Sequence, residues 1–113
     1  MNIQIFGRSK CFDTKKAERW FKERRIPVQR VDVDRFGMSL GELRSVAQSV
    51  GGVDRLLRED SRDPEAALFP YLATQEAKFQ KLLDFPSLLV SPIVRNGKKA
   101  TLGYQPEVWK DWE

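Results

Sequence analysis

The 113-residue sequence contains no histidine and a single cysteine, Cys11. Zinc and other transition metals are usually held by sets of histidine nitrogens and cysteine sulfurs, so no metal site is expected. One cysteine cannot close an internal disulfide, and a lone reduced thiol is ordinary where thiol pools keep it reduced. Long apolar runs are missing too: none approaches the roughly 20 residues that a membrane span needs. Met1-Asn2-Ile3-Gln4 lacks the basic start and apolar core of a secretory signal. A cytoplasmic protein with no membrane attachment is the expectation. Nor is charge of one sign gathered anywhere. The 20 Lys and Arg against 16 Asp and Glu leave +4, and they are interleaved, as in Lys15-Lys16-Ala17-Glu18-Arg19 and Lys22-Glu23-Arg24-Arg25. Nucleic-acid binders concentrate positive charge on one face, so direct nucleic-acid binding is not expected.

What is present is the mixture of a globular chain, 41% hydrophobic and 32% charged, of a length that suits one domain over residues 1–113. Residues 2–6 alternate about Ile3 and Ile5, which predicts a strand, and Gly7-Arg8-Ser9-Lys10 breaks it into a loop. Ala17, Trp20 and Phe21 recur at helical spacing between Thr14 and Arg25, before Ile26-Pro27 stops the helix. A second strand over residues 28–33 completes a βαβ unit and is expected to run parallel to the first. Ser39-Leu40-Gly41-Glu42 has the form of a capping box and opens a helix to about Val50, ended by Gly51-Gly52. A short helix over residues 53–57 and helical sequence from Pro64 to about Leu83, interrupted at Pro70, extend a helical insertion over about 39–84. Strand patterns return at residues 91–95 and 99–103 around the turn Asn96-Gly97, a strong hairpin signal, and Pro106 opens a closing helix.

Cys11 falls just after the first strand and just before the first helix. Unpaired backbone N–H groups and the positive end of the helix dipole converge there, so its thiol is expected below the ordinary pKa of about 8.5. Lys10, Lys15 and Lys16 add positive charge nearby in sequence. The plainer alternative is a small buried hydrophobe.

The order of elements, together with Cys11-Phe12-Asp13-Thr14-Lys15-Lys16-Ala17, Gly52, Leu56-Leu57-Arg58, Ser91-Pro92-Ile93-Val94 and Leu102-Gly103-Tyr104, resembles the arsenate reductase and Spx family. This is a branch of the thioredoxin superfamily, and the likeness spans nearly the whole chain. The ending, Gly103-Tyr104 with Trp109-Lys110, is most similar to the small glutaredoxin-like members. The resemblance implies an α/β thioredoxin-like fold, βαβ then helical insertion then ββα, with a small mixed sheet. It implies a cis-proline at Ser91-Pro92 facing Cys11, which acts as nucleophile with Thr14, Lys15, Arg58, Ser91 and Pro92 in support. No bound cofactor is implied. Glutathione would serve as co-substrate, and glutathione or a glutaredoxin as reductant.

Family arsenate reductases hold the oxyanion with three arginines. Arg58 matches the first, but Ser91 and Tyr104 stand at the other two, and Arg95 lies on the face of Ile93, too far along the strand to replace them. A charge-assisted contact to an oxyanion contributes roughly 1.5–3 kcal/mol. Losing two removes about two to four powers of ten in rate, so efficient arsenate reduction is not expected. Spx-type regulators carry a CxxC pair and bind RNA polymerase. Thr14 replaces the second cysteine here, which excludes a dithiol switch but leaves a non-catalytic domain contacting RNA polymerase or another protein as the alternative.

Other residues invite two readings each. Trp20, Phe21, Phe69, Tyr71, Phe79, Phe85 and Trp109 could stack bases or fill a core, and their spacing favours core. Asp32 and Asp34 could pair as general acid and base or simply close a strand. Gly51-Gly52 could contact a partner or end a helix. Arg58 could bind an anion or cap a helix C-terminus, and residues 59–63 read as a solvated loop.

Overall fold

Alternation in the first strand decides how the layers are arranged. In the computed structural model, which describes residues 1–112, that segment is β1 (Ile3–Gly7), with Ile3 and Ile5 on one face of the sheet and Phe6 on the other. Helix α1 (Phe12–Glu23) lays Ala17, Trp20 and Phe21 against the Ile3 and Ile5 face. A left-handed Arg25 (φ 59°) then turns the chain into β2 (Val28–Asp32), parallel to β1 with Ile3 opposite Val28. Val33, expected to end that strand, instead begins the single turn α2 (Val33–Phe36). The cause is local: the Asp32 carboxylate accepts the Asp34 N–H at 3.2 Å and caps the turn.

The capping box reads as expected, with Ser39 Oγ accepting from the Glu42 N–H and Glu42 Oε1 accepting from the Ser39 N–H, and it opens α3 (Leu40–Val50). Gly51, at φ 102°, and Gly52 both donate to the Ala47 carbonyl and close that helix. A 3₁₀ turn covers Val53–Leu56. The helical stretch expected over 64–83 is two helices, α4 (Pro64–Leu68) and α5 (Gln75–Asp84), parted by a 3₁₀ turn at Phe69–Tyr71. Pro70 cannot donate to a continuing helix, and Thr74 Oγ1 starts a new one by accepting the Ala77 N–H at 3.0 Å.

The chain finishes with β3 (Ile93–Asn96), β4 (Lys99–Leu102) and α6 (Pro106–Trp109), the last followed by a 3₁₀ turn at Lys110–Trp112. The hairpin turn is one residue later than expected. Asn96 pairs with Lys99, and Gly97, at φ 61°, takes the first central position as in a type II′ turn. The sheet order is β2-β1-β3-β4, parallel in the first pair and antiparallel in the others. This is the small mixed sheet of the expected βαβ and ββα halves.

Two cores result. Ile3, Ile5 and Val94 pack under α1 with Trp109 of α6, while Phe6 and Ile93 pack under α3, α5 and the segment 86–89. Of the aromatic residues weighed above, Trp20, Phe21, Phe69, Phe79 and Trp109 are buried in these cores, and only Tyr71 stands in solvent. The outer edge of β4 is occupied from within the chain. Ala100 donates to Ser49 Oγ of α3 at 2.9 Å, and the Leu102 carbonyl accepts from Gln105 Nε2 at 3.1 Å. No helix among the described residues is long and apolar enough to cross a membrane.

Candidate active site

The site is assembled where β1 ends. Gly7 is required by a close approach rather than by its dihedrals: a Cβ there would lie 2.5 Å from both Cγ2 and Oγ1 of Thr14. With that space vacant, Thr14 is fully buried against the strand end, and its hydroxyl accepts the Arg8 N–H at 3.3 Å. The chain turns back through a Cys11 N–H to Arg8 carbonyl bond of 3.0 Å, and Cys11 becomes the N-cap of α1. Its sulfur therefore occupies the position where a serine or aspartate oxygen would receive the first-turn N–H groups.

Cys11 is half-buried, and its thiol reaches the carbonyl of Ser91 at 3.7 Å across a gap of 80 residues in sequence. The Ser91–Pro92 bond is cis. The segment that presents Ser91 is held by an isolated antiparallel bridge between Leu57 and Leu89, with the Arg58 N–H on the Leu88 carbonyl and the Val90 N–H on the Leu56 carbonyl. This bridge also places Arg58 on the cleft that Cys11 lines. Cys11, Arg58 and Ser91 line a cleft of about 820 Å³ with Asp13, Asp54, Arg55, Glu59, Asp60 and Leu102 on its walls.

The thiol's acidity follows from these contacts. Burial pushes it up, but the polar side chains of Ser91 and Thr14 and the N–H groups of Thr14 and Asp13 around the sulfur favour the thiolate and hold it below its ordinary value. Because the Thr14 oxygen already accepts from Arg8, its own proton is left for the sulfur. Arg58 is bound by Asp60, which accepts from Nε at 3.0 Å and from Nη2 at 3.4 Å, and this partner raises the guanidinium's proton affinity further. Arg58 thus caps no helix terminus; it stands at the cleft.

Lys15 is a correction. Expected beside the thiol, it lines neither cavity that Cys11 borders: its ammonium is 5.8 Å from the Phe12 ring, in an adjoining hollow with Ser9, Glu18, Arg30, Asp32 and Phe36. Lys16 similarly turns toward Asp13 and Tyr104. Tyr104, at the third arginine position, packs edge-on against Trp109 at 5.6 Å, and Leu102 fills the cleft wall instead. Arg95 lies on the Ile93 face as expected, bonded to Gln4 and close to Glu42 of α3, far from the thiol.

Arg8 is the residue that sequence reading missed. Placed in a loop and passed over, it is buried, and its guanidinium donates to Asp34 Oδ1 (2.9 Å), to the Leu89 carbonyl (2.7 Å) and to the Pro86 carbonyl (2.8 Å). One side chain thereby ties the loop before Cys11 to α2 and to the segment before Ser91. Asp34 is engaged in this tie and Asp32 in the α2 cap, so the strand-closing reading of that pair holds. Both still border a smaller cavity of about 440 Å³ shared by Arg8, Cys11, Arg58 and Ser91.

The chain is similar to known proteins in sequence and fold. The model of the ArsC family matches residues 6–112. The global transcriptional regulator Spx 2 of Oceanobacillus iheyensis is 31% identical over 114 residues, spanning 95% of this chain and 80% of the relative. Among solved structures, an arsenate reductase from Vibrio cholerae superposes with a TM-score of 0.84 at 23% identity, covering 98% of this chain and 97% of that one. The glutaredoxin-like NrdH-redoxin from Escherichia coli superposes with a TM-score of 0.52 at 19% identity, covering 100% of this chain and 96% of that one. These two establish the thioredoxin-like fold. With a family model over nearly its full length and an Spx relative above 30% identity, the chain belongs to the ArsC family, in its arsenate reductase and Spx branch.

Proposed function

We propose that the protein is a glutaredoxin-like monothiol oxidoreductase with Cys11 as its nucleophile. The observation that carries this reading is the placement of the Cys11 sulfur at the N-cap of α1, facing Ser91 across an open cleft, with its thiol held below the ordinary value. The Cys11 thiolate attacks one sulfur of a disulfide, forms a mixed disulfide and expels the other half as a thiolate. An external thiol, glutathione or a glutaredoxin cysteine, then attacks the mixed disulfide and releases Cys11. In balance, one thiol and one disulfide exchange partners, and Cys11 returns unchanged. Thr14 and the first-turn N–H groups stabilise the thiolate, and Pro92 aligns the incoming sulfur beside Ser91. Arsenate reduction is inefficient in this reading, because Arg58 alone stands where the family uses three arginines. A reducing cytoplasm supplies the thiol, and no bound cofactor is needed.

The rate of Cys11 alkylation by iodoacetamide against pH tests the proposal. The thiolate is the reacting form, so a lowered pKa carries reactivity to lower pH, and the midpoint is expected below that of an ordinary thiol. In a glutathione redox buffer, intact mass should gain one glutathione per chain. An ordinary or raised midpoint with no adduct refutes the reading.

A second reading is favoured by one observation, the 31% identity to a transcriptional regulator. Here the chain is an interaction domain that contacts RNA polymerase or another protein. The two diverge at Cys11→Ser, which abolishes exchange under the first reading and leaves partner binding intact under the second. Binding of purified RNA polymerase by the wild type and by Cys11→Ser, measured side by side, separates them.

A further inference from the structure

We infer that Asp60 is a specificity-determining residue of the cleft: by occupying Arg58 it slows the reaction of Cys11 with anionic disulfides relative to neutral and cationic ones. This rests on the proposal that Cys11 is the attacking thiol, and it narrows the class of substrate.

Three observations support it. Arg58 borders both the larger cleft and the smaller cavity that Cys11 also lines. Both oxygens of Asp60 are bonded to it, in a fork geometry that a substrate carboxylate or oxyanion would need for itself. Asp60 also belongs to the cleft wall, so the ion pair sits in the path of the substrate and not behind it. Being two residues from Arg58 in the chain, Asp60 competes at high effective concentration, and an anion arriving from solution must displace it.

The remaining walls of the larger cleft are mainly acidic, while Lys10 borders the smaller cavity. Asp13, Asp54 and Glu59 add carboxylates, of which Asp54 is engaged by Lys78 at 2.7 Å. Arg55 also lines the cleft, its stem beside Gly51 at the end of α3. A substrate with two or more carboxylates therefore meets an arginine already bound and further carboxylates around it. A neutral disulfide meets no such competition, and a cationic one is attracted.

The pair is partly exposed, at 35% and 77% for the two side chains, so the effect is moderate and screened by salt. It is measurable with three small symmetrical disulfides: glutathione disulfide (anionic), bis(2-hydroxyethyl) disulfide (neutral) and cystamine (cationic). Rates of mixed-disulfide formation on Cys11 are followed by intact mass at low ionic strength. In Asp60→Asn the ratio of the glutathione-disulfide rate to the neutral-disulfide rate is expected to rise about fivefold to tenfold, and the rise should shrink as salt is added. The cystamine ratio should fall. Glu59→Gln removes the same charge from the same wall without touching Arg58 and should shift the ratios much less.

Unchanged ratios in Asp60→Asn overturn the inference. So do equal shifts in Asp60→Asn and Glu59→Gln, because wall charge and not occupancy of Arg58 would then set selectivity. A gain that survives in the double variant Asp60→Asn with Arg58→Gln overturns it as well. Failure of the underlying proposal looks different: no adduct on wild-type Cys11 with any of the three disulfides, the neutral one included.

Discussion

Replacing Arg8 by methionine is expected to lower unfolding free energy by about 3 kcal/mol and to move the Cys11 alkylation midpoint upward. The two effects have one source. Methionine keeps much of the volume but donates nothing, so the buried Leu89 carbonyl loses its partner, whereas Pro86 retains the Leu89 N–H and Asp34 turns to solvent. The segment before Ser91 then loses its polar tie to the Cys11 loop and is held by the Leu57–Leu89 bridge and the core packing of Leu88 and Leu89. As Ser91 drifts from the sulfur, one of the hydrogen bonds favouring the thiolate weakens, and reactivity below the midpoint falls. Arg8→Lys keeps the charge but cannot span three acceptors, so it should recover part of the stability and little of the thiol's acidity. Urea unfolding together with the alkylation pH profile measures both. If Arg8→Met loses stability while the midpoint stays put, Arg8 holds the fold but does not position the thiol site.

Trp109→Ala should cost about 4 kcal/mol, the largest effect of a single truncation expected here. Trp109 is fully buried, with ring centroids 5.5 Å from Trp20 and 5.0 Å from Phe21, and Tyr104 packs on its outer side. Helix α6 is a single turn, too short to persist by itself. It is held by this one side chain and by the bond from Nε1 to Thr101 Oγ1 at 2.8 Å. Trp109→Phe retains the aromatic packing and removes the bond, leaving the Thr101 hydroxyl unpaired, and should cost about 1–2 kcal/mol. Urea unfolding distinguishes the two. Equal losses would mean that the hydrogen bond, and not the packed ring, anchors the C-terminal turn.

Particular residues explain how far the sequence could be read. Ser39 and Glu42 cap a helix through bonds spanning three residues, and Gly97 turns a hairpin whose partners are adjacent, so both devices are visible in a short window. Cys11 was legible for the same reason, since an N-cap is a local position. Arg8 was not: its acceptors are 26, 78 and 81 residues away, and nothing in Gly7-Arg8-Ser9-Lys10 distinguishes a buried guanidinium from a solvated one. Lys15 failed in the opposite direction: one turn from Cys11 in sequence, its long side chain extends over Phe12 into an adjoining hollow, an orientation that spacing does not encode. Arg58 could be nominated from Leu56-Leu57-Arg58, but its engagement by Asp60 depends on how the chain turns after the Leu57–Leu89 bridge.

The serine that meets β4 has a consequence for how molecules of this protein behave in company. An edge strand offers its outward N–H and carbonyl groups as a template on which a strand from another chain can add, the commonest route by which sheets aggregate. At Ala100 that offer is withdrawn by Ser49, and at Leu102 the carbonyl is taken by Gln105. A strand approaching β4 finds its hydrogen-bond partners already engaged and α3 in its way. At high concentration, sheet extension on this side is blocked by a hydroxyl and an amide of the same molecule.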